Sequence, residues 1–131
     1  MDKRTLVESD FTNGALLVEQ LEQNDFPVHS ALWLYDPDNE RWRLIISSIK
    51  YDLAGPRKAY EHIDKVIRKI EQTDQEFDIS LENITVKRTN DSFIKVLEKI
   101  QIAPNKKGTR FTRRALNNFY IEDAYIYRVG A

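Results

Sequence analysis

The sequence has no cysteine among its 131 residues. Disulfides and thiolate metal sites are therefore excluded, and the composition fits a reducing compartment. The chain needs no cross-link to fold, because a domain of this length buries roughly two thirds of its unfolded surface. No run approaches the roughly 18 apolar residues of a membrane span. Acids also interrupt the stretch after Met1-Asp2-Lys3-Arg4, where a secretory signal is continuous and apolar. The expectation is a cytoplasmic protein with no membrane partner. Histidine is nearly absent too: His29 and His62 are the only two, with no His-x-x-x-His pair, so neither a zinc site nor any other metal site or cofactor is expected. Glycine and proline number four each, too few for a long linker, and no internal repeat or low-complexity tract is present. One domain over residues 1–131 is expected.

Charge of one sign is lacking overall but not locally. Twenty basic and 21 acidic residues leave a net charge of -1, which by itself favours neither nucleic acid nor membrane. Residues 71–82 carry Glu71, Asp74, Glu76, Asp78 and Glu82 with no base, whereas residues 101–118 carry Lys106, Lys107, Arg110, Arg113 and Arg114 with no acid.

Periodicity then gives the elements. Val7, Phe11, Gly14, Leu17, Val18 and Leu21 recur at helical spacing across 4–23, with Gly14 weakening the middle by about 1 kcal/mol and allowing a start near Thr12. Val28 to Tyr35 and Trp42 to Ile49 read as a β-hairpin around the turn residues Asp36-Pro37-Asp38-Asn39-Glu40. With Tyr35 opposite Trp42, Trp33 faces Leu44 and Ala31 faces Ile46. The other face carries Val28, Leu32, Leu34, Ile45 and Ile49, so both faces are apolar and the strands are expected to be central.

Gly55-Pro56 opens a second helix with an apolar stripe of Ala59, Tyr60, Ile63, Val66, Ile67 and Ile70, supported by Glu61–Lys65 and Asp64–Arg68 pairs. An acidic connector over 73–82 follows, then a short strand over 84–88. Asn90 or Asp91 caps a third helix that Pro104 ends. The basic loop 105–108 leads into a strand over 109–113, and a turn near Leu116-Asn117-Asn118 into a last strand over 119–129. The order α-ββ-α-β-α-ββ defines an α+β fold: a mostly antiparallel sheet of about five strands with three helices, expected on one face of the sheet.

Several residues are candidates for chemistry or contact. In the basic segment, Lys106, Lys107, Arg110, Arg113 and Arg114 are able to neutralise phosphates, and Phe111 offers a ring for a base. The same residues equally suit a solvated sheet edge guarded against pairing, or a contact with the acidic 71–82 segment. A sequence pI near 6.1 argues against a dedicated nucleic-acid domain. Trp33, Tyr35 and Trp42 cluster on one hairpin face, as interface anchors do and as covered cross-strand aromatics do; core burial is the favoured reading.

Asp52 lies in a strand-to-helix loop with no phosphate-cradling glycine pattern. Asp123 falls on an apolar face of the last strand, where an acid is paired, displaced by a bulge, or functional, the first two being favoured. Arg128 or a residue of the basic segment is its expected partner. Its neighbour Glu122 points to the opposite side, which opposes a shared metal. Ser47-Ser48 lacks a nucleophile elbow.

The leading expectation is a non-enzymatic accessory or protein-interaction module, with a homodimer among its forms, using the hairpin face or the final sheet edge. A nucleic-acid binder working through the basic 106–114 segment is the alternative. A Mg²⁺-dependent hydrolase or nuclease using Asp52, Glu122 or Asp123 is the third.

Overall fold

A computed structural model describes residues 6–100 and 108–130. Among the described residues the fold is α+β, with three α-helices and a five-stranded mixed sheet in the order anticipated from the sequence. Strands β1 (Ser30–Asp36) and β2 (Arg41–Ser47) form the hairpin, with Tyr35 opposite Trp42, Trp33 opposite Leu44 and Ala31 opposite Ile46. The turn is fixed by Asp36, which accepts from Asp38 N at 3.1 Å and from the Asn39 amide at 2.7 Å. The Asn39 bond is the largest influence holding the Asp36 carboxyl below its ordinary value.

Strand β3 (Ile84–Lys87) lies parallel to β2, while β4 (Thr109–Leu116) and β5 (Phe119–Arg128) complete the order β3-β2-β1-β5-β4 with antiparallel pairing. The parallel step needs a crossover, and helix α2 (Ile49–Thr73) supplies it. This helix starts earlier than Gly55-Pro56 suggests. Ser48 accepts from Lys50 N at 3.0 Å and so ends β2 before Ile49, which therefore sits on a helix instead of the strand face. Gly55, at φ 88°, then breaks the helix into two segments, and Pro56 opens the second, where no N–H is needed. Ala59, Ile63, Val66, Ile67 and Ile70 are buried as the stripe requires. Arg68 pairs with Asp64 at 2.9 Å, but Glu61 takes Arg57 at 3.3 Å instead of Lys65.

Helix α1 runs Glu8–Gln23, its start held by Asp10 accepting from Val7 N at 2.9 Å rather than delayed to Thr12. Helix α3 (Ser92–Glu98) is capped by Asp91, which accepts from Phe93 N at 3.0 Å. The stop at Pro104 lies outside the described residues. The acidic connector is no simple linker, since Phe77 and Ile79 within it are buried.

Helices cover both faces of the sheet, which corrects the one-face expectation. Ala31, Trp33, Tyr35, Trp42, Leu44 and Ile46 share a core with residues of α1 and α2. Leu32, Ile45, Ala124 and Ile126 share another with Phe93, Ile94 and Leu97 of α3. Two apolar faces on central strands demand two covers. The two sheet edges are protected differently. The short β3 has its Val86 N–H bonded to the Tyr60 hydroxyl at 2.9 Å, while the long β4 carries arginines.

Candidate contact surface

The exposed part of the sheet follows from its register. β5 pairs with β1 only between Ala124 and Arg128, but with β4 from Phe119 to Ile126. The Thr112–Asp123 stretch therefore continues past β1 as a two-stranded ribbon, closed by a turn at Asn117, which takes φ 53°. Arg113 is also left-handed, at φ 49°, and side-chain alternation slips there. Phe111, Ile121 and Ala124 all enter the α3-side core, although strict alternation along β5 would put Ile121 and Ala124 on opposite faces.

In the described part of the basic segment, Arg110 turns to the α1–α2 side of the sheet and Phe111 to the α3 side. Arg110 is bidentate to Asp123, at 2.7 and 2.8 Å, and its guanidinium lies 5.8 Å from the Trp42 ring. Asp123 is thus ion-paired, with Arg110 of the basic segment as its partner; Arg128 turns instead to Glu22 at 2.7 Å. The hydrogen bond to Asp123 holds the Arg110 guanidinium still more firmly protonated than usual. Phe111 is only 8% exposed, and the Arg114 guanidinium lies 4.6 Å above its ring. A base seated on Phe111 would have to displace that cover. Arg113 and Arg114 are exposed and have no ion-pair partner among the described residues. Lys106 and Lys107 lie outside the described residues. On the ribbon face away from Arg114, Tyr120 is 61% exposed, opposite Ala115 and one residue from the Arg114–Ile121 pair. Strict alternation sets Tyr120 apart from the face of Phe119, Ile121 and Asp123, and the turn just before it is its one signal in the sequence.

The aromatic hairpin face is interior. Trp33, Tyr35 and Trp42 are 4, 5 and 5% exposed and belong to the core beneath α1 and α2, which corrects their candidacy as surface anchors. The Trp33 indole N–H donates to the Tyr127 hydroxyl at 3.1 Å, and that hydroxyl donates to Phe11 O at 2.7 Å. Burial is the main cause pushing the Tyr127 phenol above its ordinary pKa.

The remaining candidates are occupied by structural bonds. Asp52 accepts from Thr89 N at 3.0 Å and from the Thr89 hydroxyl, tying α2 to the β3–α3 loop. Asp52 and Asp123 are thus committed to different partners, and no group of three or more His, Cys, Asp or Glu able to hold a metal ion occurs among the described residues. His62 bonds Asn24 O at 2.7 Å and meets the Phe26 ring edge-on.

His29 has the connectivity of a hydrolase relay. Its Nδ1 lies 3.0 Å from Ser47 Oγ and 2.9 Å from Ser30 Oγ, and its Nε2 lies 3.0 Å from Glu98. Both serines have zero exposure, however, so neither hydroxyl is open to a substrate carbonyl. Ser30 Oγ also accepts from Gly130 N at 3.2 Å. The cluster is a clasp that ties α3 and the end of β5 to the central strands.

No helix among the described residues is long and apolar enough to cross a membrane. Comparison of the chain with protein-family models, with curated proteins and with solved structures returned no match.

Proposed function

We propose that the chain is a non-enzymatic, cytoplasmic interaction module that meets an anionic partner through the β4–β5 ribbon. The carrying observation is the adjacent pair Arg113 and Arg114, exposed and without ion-pair partners among the described residues, on a ribbon that extends past β1. Most other arginines among the described residues are engaged by acids or hydrogen-bond acceptors: Arg57, Arg68, Arg110 and Arg128 by acids, Arg43 by Thr85 and Ile84. The acidic 71–82 segment leads toward β3, and three strands separate β3 from β4. That arrangement favours an external anion over an internal one. The non-enzymatic part is supported by the engagement of Asp52, Asp123 and both buried serines in structural bonds. A dimer through β4 edge-to-edge pairing is disfavoured, because it would bring arginine rows together.

Heparin chromatography tests this reading. The wild-type chain is expected to be retained at low salt despite its net charge of -1, and an Arg113→Ala/Arg114→Ala variant to elute distinctly earlier. Both positions are exposed, so the variant is expected to keep its far-UV circular dichroism and melting temperature. Co-elution of both proteins in the flow-through would contradict it.

A further inference from the structure

We infer that the anionic partner is single-stranded nucleic acid, with phosphates held by Arg113 and Arg114 and a base stacked on Tyr120. The inference rests on the ribbon being the contact surface and adds the chemistry of what binds there. Three observations carry it.

The first is the ring. Among the described residues Tyr120 is one of the few large apolar side chains left exposed, at 61%, and its backbone is fixed by pairing with Ala115. An open aromatic ring on a ribbon that also carries two exposed cations suits an unpaired base, and stacking of this kind tolerates any base. It gives nothing to a duplex, whose bases are already stacked, and little to an acidic peptide.

The second is the edge itself. A peptide that added a strand to β4 would need a regular outer row of N–H and C=O groups. Arg113, at φ 49°, interrupts that row in the middle of the strand. Recognition here therefore runs through side chains, as it does along a nucleic-acid backbone.

The third is the residue set of the ribbon tip. Between Thr112 and Ile121 there is no acid, and Asn117 and Asn118 at the turn are exposed. Their amides carry both donors and acceptors, which suit base edges or sugar hydroxyls. Arg114, with its guanidinium 4.6 Å from the Phe111 ring, offers donors that suit a phosphate.

The test is fluorescence anisotropy on the full chain. The probes are a labelled oligo(dT) and an oligo(U) of twelve nucleotides, a duplex of equal length, and an oligoglutamate peptide. Binding is expected for the single strands, with weaker binding to the duplex and the peptide. Tyr120→Ala is expected to weaken single-strand binding about ten-fold, within the range of a lost base–aromatic stack, and Tyr120→Phe to preserve it. Arg113→Ala/Arg114→Ala is expected to lower the slope of log affinity against log salt by about 1.4, since each phosphate contact on a single strand contributes about 0.7.

The inference is overturned if Tyr120→Ala binds like wild type, if oligoglutamate binds as tightly as the single strands, or if no probe binds. When any of these occurs while heparin retention still depends on Arg113 and Arg114, only the nucleic-acid assignment falls. Loss of heparin retention as well removes the contact surface and the inference together.

Discussion

Gly14→Ala is expected to destabilise the protein by about 2–4 kcal/mol, against a helix-propensity gain of about 1 kcal/mol that would otherwise favour alanine. The steric reason is local and specific. A Cβ on Gly14 would lie 2.3 Å from the Tyr127 hydroxyl and 2.8 Å from Trp33 Nε1. Neither group is a flexible end free to swing away. Both residues are 4% exposed, and the hydroxyl is held between the Trp33 N–H and Phe11 O. Making room breaks one or both bonds, and each buried polar group left unsatisfied costs about 1–3 kcal/mol. Urea denaturation gives the value directly. In a Tyr127→Phe background the closest atom is gone, so the same substitution is expected to cost distinctly less, a coupling that a double-mutant cycle resolves. A neutral or stabilising Gly14→Ala would show that α1 does not approach β1 and β5 at this point.

The second large effect is expected at Leu97. It is fully buried on α3, in the core formed with Leu32, Ile45 and Ile126. Leu97→Ala removes three buried carbons and leaves a cavity, at a cost of about 2–5 kcal/mol. The number discriminates between architectures. Were all helices on the α1–α2 side, α3 would be peripheral and the same change would cost within about 0.5 kcal/mol, as surface substitutions do. A midpoint shift that small in denaturant, with an unchanged m-value, would contradict the second cover of the sheet.

These two positions also mark where local sequence information stops. The hairpin register was legible because a proline-containing turn and alternating aromatics fix it at short range. The second segment of α2 was legible from Pro56 and its stripe, and the α3 cap from Asp91. The two-faced apolar pattern of Leu32, Leu34 and Ile45 did announce central strands, but not that α3 would take one face alone. Ile49 reads as a strand residue by propensity. Its helical state follows from Ser48 capping, a tertiary choice, since the Ser48 hydroxyl also bonds Pro27 O at 2.5 Å. Gly14 read as a defect in its helix, because the rings that need its missing Cβ lie more than ninety residues away at Tyr127 and in another strand at Trp33.

The candidate surface was half legible. Charge segregation pointed to the basic segment, and the acid on an apolar strand face pointed to an ion pair. What the sequence did not reveal is the left-handed Arg113. Arginine has no special preference for that conformation, so the slip in alternation that brings Ile121 to the same face as Phe111 and Ala124 has no local signal. The His29–Ser47–Glu98 clasp was equally hidden, being assembled from residues that periodicity treats as unrelated.

The proposed contact surface, the β4–β5 ribbon, is open to an amide-resolved NMR titration of the full chain with a heparin-derived oligosaccharide. Shifts confined to the ribbon between Thr109 and Glu122, centred on Arg113 and Arg114 and fading as salt is raised, are the predicted result. Shifts centred instead on the exposed Ile49–Leu53 turn of α2, where the side chains are 49 and 80% exposed, with the ribbon silent, would contradict it.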